Sequence, residues 1–99
     1  MLKNILLIIE YCGKNYAGWQ RQLNGISVQE KIENAIQELT GQKININGSG
    51  RTDAKVNAIG QCANFKMDCS IPPSNFAMAL NSILPEDIRI IESLEVDMD

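Results

Sequence analysis

The amino-acid sequence predicts an α+β domain of the ferredoxin-like type. Its expected order is a split β-α-β-β-α-β, giving a four-stranded antiparallel sheet with two helices on one face. Three observations predict it: an apolar run near the start, two amphipathic helical segments separated by two alternating stretches, and a closing run rich in isoleucine. Ninety-nine residues leave room for one domain. With 44% hydrophobic and 21% charged residues, the composition is that of a globular chain rather than a disordered one.

The first element is Asn4 to Glu10, a continuous run of isoleucine and leucine. Such a run predicts a strand buried on both faces rather than a half-wet, alternating one. A loop from Tyr11 to Ile26 follows, long for a compact domain, and loops of that length commonly bind something. Val28, Ile32, Ala35, Ile36 and Leu39 then share one helical face. Ser27 and Glu30 form a capping box at its start, and Gly41 supplies the exit. Lys43 to Asn47 alternates polar and apolar around Ile44 and Ile46, as an amphipathic strand does, and Gly48-Ser49-Gly50 breaks it. Ala63, Phe65 and Met67 alternate with Cys62, Asn64 and Lys66 in a third strand. Pro72-Pro73-Ser74 opens a second helix with Phe76, Leu80, Ile83 and Leu84 on its buried stripe, and Pro85 stops it. Ile88 to Val96 is the fourth strand.

Composition narrows the chemistry. The chain has no histidine, which removes Ser-His-Asp and Cys-His catalysis, imidazole acid–base work and His-based zinc sites. Cys12, Cys62 and Cys69 contain no C-x-x-C pair and read as free thiols of a reduced cytoplasm, with no metal or cofactor implied. No apolar run reaches the length of a membrane span, and Ile5 to Ile9 is too short for a signal-peptide core. The net charge of −3 is unevenly spread. Residues 86–99 hold six acidic side chains against Arg89, so residues 1–85 are slightly basic, with local basic surface available to a nucleic acid.

Two segments carry possible chemistry. In Gly48-Ser49-Gly50-Arg51-Thr52-Asp53-Ala54, two glycines allow close backbone approach to a ligand. Arg51 and Asp53 stand two residues apart, hence on the same side of an extended stretch. Arg51 can hold Asp53 ionised, or grip a phosphate while Asp53 acts; the plainer alternative is a surface turn with an incidental ion pair. The segment is not a phosphate loop, since arginine replaces the lysine and Asn45 occupies the position of the first glycine. The second segment is the long loop, where Tyr11, Tyr16 and Trp19 interleave with Lys14 and Arg21. Aromatic faces with cations suit unstacked bases and phosphates, while the alternative has Tyr16 and Trp19 lidding the core.

At these segments the sequence resembles the tRNA pseudouridine synthase A family. The similar stretches are Gly13 to Gln22, Ser27-Val28-Gln29 and Gly48 to Ala54, with Val56, Ala58 and Gly60-Gln61 beyond. Leu80-Asn81 and Leu84-Pro85-Glu86-Asp87-Ile88 complete the pattern, in order along the chain. The resemblance implies a metal-free, cofactor-free, cytoplasmic isomerase, homodimeric at full length, that converts uridine to pseudouridine in the anticodon arm of tRNA. It implies that Asp53 is the catalytic aspartate and Arg51 the residue that flips and holds the target nucleotide. Gly50, Thr52, Lys55 and Asn57 beside them, with Lys14, Trp19, Gln20 and Arg21 of the long loop, are the implied RNA-binding residues. A carboxylate at C1′ suits this chemistry, either attacking the sugar or taking a proton from it, because the base must leave C1′ and rejoin through C5. Where the family usually has glycine and histidine, this chain has Lys55 and Asn57. Family members also continue into a second α/β half, so residues 1–99 are expected to form the N-terminal half of the catalytic domain and to be inactive alone. An RNA-recognition-motif-like binding module shares the element order and is the alternative; it would present aromatics on an open sheet face. A small-molecule-binding regulatory domain of the same fold type is the third reading.

Overall fold

A computed structural model describes residues 2–12, 16, 18, 19, 25–48, 58–68 and 70–98. Its elements are β1 (Leu2–Tyr11), α1 (Val28–Thr40), β2 (Asn47–Gly48), β3 (Ala58–Asp68), α2 (Phe76–Asn81) and β4 (Ile88–Val96). The four strands form one antiparallel sheet in the order β2-β3-β1-β4. This is the predicted ferredoxin-like α+β architecture.

Alternation along the central strand sets the core. Ile5, Leu7, Ile9 and Tyr11 of β1 are buried together with Val28, Ile32 and Ile36 of α1 and Phe76 and Leu80 of α2. Ala63, Phe65 and Met67 of β3 and Ile88 and Ile90 of β4 join the same core, so both helices pack on one face of the sheet. Phe65 of β3 meets Phe76 edge-on, with ring centroids 5.6 Å apart. On the opposite face Leu6 and Ile8 are half-buried, so β1 is not enclosed on both sides as its unbroken apolar run predicts. Being the inner strand explains their partial cover: Leu6 lies between Asn64 and Leu94, and Ile8 between Cys62 and Glu92.

Helix α1 starts and stops as predicted. Ser27 Oγ accepts from the Glu30 N–H at 3.1 Å, and the Gly41 N–H donates to the Gln37 carbonyl at 2.8 Å. The second strand differs. Gln42 to Ile46 is irregular, and the ladder begins only at Asn47, running through the Gly48 predicted to break it. The reason lies on α1: buried Glu33 accepts the Ile46 N–H at 2.9 Å, and the Gln29 amide donates to the Ile46 carbonyl at 3.2 Å. Side chains of the helix thus satisfy backbone groups that a neighbouring strand would otherwise take.

The second helix is shorter than predicted. A 3-10 turn at Pro73–Asn75 leads into α2, and Ile83 and Leu84 lie beyond its end, packed against the core but only half-buried. Asn81 ends the helix by turning to β4, where its amide donates to the Ile90 carbonyl at 2.9 Å and its oxygen accepts the Ile90 N–H at 2.8 Å. Two irregularities bend the sheet. Gly60 is an extra residue in β3 opposite β1, with φ +85°, and Ile91 is an extra residue in β4. An inserted residue of this kind bends its strand and increases local twist, and the Gly60 conformation is one that L side chains rarely adopt.

Candidate nucleic-acid interface

Strand register brings several chain segments to one end of the sheet. Tyr11, at the end of β1, pairs with Ala58 at the start of β3 and with Ile88 at the start of β4. Strands β1 and β2 both run antiparallel to β3, so β2 also heads toward this end. Residues 49–57 join Gly48 to Ala58, so both anchors of the Arg51–Asp53 segment belong to the β2–β3 side of the sheet. Gly50, Arg51, Thr52, Asp53, Lys55 and Asn57 themselves lie outside the described residues, as do Lys14, Gln20 and Arg21.

Trp19 is described, and it joins the two segments singled out in the sequence. Its ring is only 2% exposed and stacks on Tyr11 at a centroid separation of 6.2 Å. Gly48 pairs with buried Ala63, so a side chain at position 48 would point inward. There the indole already fills the space: a Cβ on Gly48 would overlap Trp19 Nε1 and lie 2.7 Å from its Cε2. The main chain beside Trp19 is fixed as well. The Gly18 carbonyl accepts the Val28 N–H at 3.1 Å and the Trp19 carbonyl accepts the Gln29 N–H at 2.9 Å. Two N–H groups that the first turn of a helix leaves unpaired are satisfied in this way. The contacts seen for Trp19 are therefore packing contacts, and they set the footing from which the Arg51–Asp53 segment departs.

Tyr16 ties the same loop to the other side of the sheet. Its ring is buried and its hydroxyl donates to Asp87 Oδ1 at 2.5 Å, within the range of a bond to a charged oxygen. Burial, then the hydrogen bond and charge of Asp87, raise the phenol well above its ordinary value of 10.0, so the group remains a proton donor. Asp87 also accepts the Cys12 N–H on its main-chain oxygen at 3.0 Å. Sequence spacing gives no sign of the Tyr16–Asp87 pair, since its members are 71 positions apart. The only hint is that both belong to stretches of the family pattern.

Beside Asp87, a cavity of about 320 Å³ is lined by Asn81, Leu84, Pro85, Glu86, Ile88 and Arg89. The helix-free sheet face carries no stacking platform. All five aromatic residues, Tyr11, Tyr16, Trp19, Phe65 and Phe76, are buried. That removes the feature by which an RNA-recognition-motif module would hold bases. Among the described residues, no three Cys, Asp or Glu side chains gather as metal ligands, and no helix is long and apolar enough to cross a membrane.

Residues 7–98 match the sequence pattern of a family described as tRNA pseudouridine synthase. Among curated relatives, the tRNA pseudouridine synthases A of Caldicellulosiruptor saccharolyticus and Acetivibrio thermocellus are each 54% identical to this chain over 98 residues, covering 99% of it and 40% of their own length. That of Prochlorococcus marinus is 47% identical over 95 residues, or 96% of this chain and 35% of its own. The chain thus spans about 40% of the length of the first two relatives. The match over residues 7–98 and the 54% identity over 98 residues to two such enzymes show that the chain belongs to the tRNA pseudouridine synthase family.

Proposed function

We propose that the full-length protein is a cytoplasmic, homodimeric tRNA pseudouridine synthase acting on uridines of the anticodon arm. Residues 1–99 form the N-terminal half of its catalytic domain. The observation that carries this reading is the match over residues 7–98, which takes in both the aromatic–basic loop and the Arg51–Asp53 segment. The curated relatives named for the activity share about half of the residues of this chain.

The residues suit the reaction. Conversion breaks the bond from C1′ to N1 of uracil, turns the base, and joins C1′ to C5; C5 loses its proton and N1 gains one, so the product is an isomer of the substrate. The Asp53 carboxylate stabilises positive charge at C1′ while that bond is broken, as carboxylates do in glycoside cleavage. A base in a stacked arm must first be extruded, at a cost of a few kcal/mol. Arg51 offsets that cost by holding the displaced nucleotide through its phosphate. Lys14, Gln20, Arg21, Lys55 and Asn57 supply polar and cationic contacts to the RNA backbone, and Gly50 and Thr52 let the chain approach it closely. Trp19 serves from below, as the buried support of this segment.

The test is Asp53→Asn in the full-length protein, assayed on unmodified tRNA. Pseudouridine formation is expected to vanish while tRNA binding stays within about twofold, because the substitution removes charge and keeps shape. Turnover by this variant at the wild-type rate would remove Asp53 from the mechanism.

A further inference from the structure

The sequence from Tyr11 to Ile26 contains Lys14 and Arg21, cations that the proposed function assigns to RNA. Besides the main-chain bonds of Cys12, Gly18 and Trp19, two of its side chains hold it to the body of the fold. Trp19 sits on Gly48 and Tyr11, on the side of the Arg51–Asp53 segment. Tyr16 reaches the opposite side, to the turn that precedes β4. That turn is closed by its own bond, the Ile88 N–H donating to the Pro85 carbonyl at 3.1 Å, and Asp87 receives both the Tyr16 hydroxyl and the Cys12 N–H. One residue of the β4 turn thus grips the loop at its departure from the sheet and again at Tyr16. Lys14 lies between these two grips in sequence.

We propose that the hydrogen bond from Tyr16 to Asp87 is a latch that fixes position 16 against the turn before β4, making Tyr16 and Asp87 positioning residues for tRNA. The inference rests on the proposed function for its ligand but not for its structural half. Release would give up a hydrogen bond to a carboxylate oxygen, so the latched state is favoured over a released one. Fixing Tyr16 before RNA arrives reduces the ordering required at the moment of binding. Because the latch touches no reacting atom, it is expected to act on binding more than on the chemical step.

The experiment uses the full-length protein. Tyr16→Phe deletes one oxygen and keeps the buried ring. Hydrogen exchange across residues 12–26 is expected to rise about tenfold, with the interior of β1 within about twofold of wild type. The KM and Kd for tRNA are expected to rise about tenfold while kcat changes less than about threefold. Asp87→Asn keeps an acceptor oxygen and should recover most of both effects, whereas Asp87→Ala should lose at least as much as Tyr16→Phe. The double variant Tyr16→Phe with Asp87→Ala should be no worse than Asp87→Ala alone, as for two ends of one interaction. Unchanged exchange in Tyr16→Phe overturns the latch. Raised exchange with an unchanged Kd overturns its role in positioning. Should the wild-type protein bind tRNA without making pseudouridine, the proposed function fails, and exchange together with Kd still decides the latch.

Discussion

At position 48 a hydrogen stands where any other residue carries a Cβ, and the Trp19 indole occupies the space beyond it. Gly48→Ala therefore forces the indole, the strand or both to move, and overpacking of this kind destabilises by about 1–3 kcal/mol. A urea melt of the full-length variant is expected to show a loss in that range, with activity reduced further because the displaced residue begins the Arg51–Asp53 segment. Tyr16 carries a different signature. Its folded-state pKa is raised above the ordinary 10.0, so its contribution to stability is complete below that value and is lost as pH rises toward the folded value. Melts at about pH 9 and about pH 11 should show wild type losing more stability than Tyr16→Phe, since phenylalanine has no proton to release.

Among the elements, α1 does more than cover the sheet. Its Glu33 carboxylate accepts from Ile46 N–H and from Gln29 Nε2, within the buried layer. Bonds to a charged acceptor contribute about 1.5–3 kcal/mol each, so Glu33→Ala is expected to cost at least about 2 kcal/mol in a denaturant melt. Glu33→Gln, which keeps an acceptor oxygen, should lose less. The same interaction explains what sequence periodicity misplaced. Lys43 to Asn47 alternates like a strand, but alternation reports which side chains are apolar and not what satisfies the backbone; here a helix side chain does so at Ile46. Where local signals act alone they were readable: the Ser27 cap, the Gly41 exit and β4 from Ile88 to Val96 all lie where predicted. Helix α2 ends early because Asn81 bonds across to Ile90, a tertiary contact that no local pattern contains.

On the scale of the whole molecule, the family was legible because its motifs recur in order, whereas the geometry joining them was not. Trp19 meets Gly48 and Tyr16 meets Asp87 across the fold, and neither pairing follows from spacing. The proposed RNA-binding surface is the part composition represents least well. The chain carries a net charge of −3, and its acidic residues crowd into 86–99. Electrostatic contact with phosphates dominates affinity for nucleic acid, so the 99-residue chain alone is expected to bind tRNA at least about tenfold more weakly than the full-length protein. It should also form no pseudouridine; gel-shift titration and a single-turnover assay on the two proteins check this together. Robust conversion by the short chain would place the complete catalytic apparatus within it. The buried indole has a practical corollary. It is the sole tryptophan in these 99 residues. Sealed against Tyr11, it should emit at short wavelength, and a red shift or a change in quenching on addition of tRNA would give an optical readout of the ground beneath the Arg51–Asp53 segment.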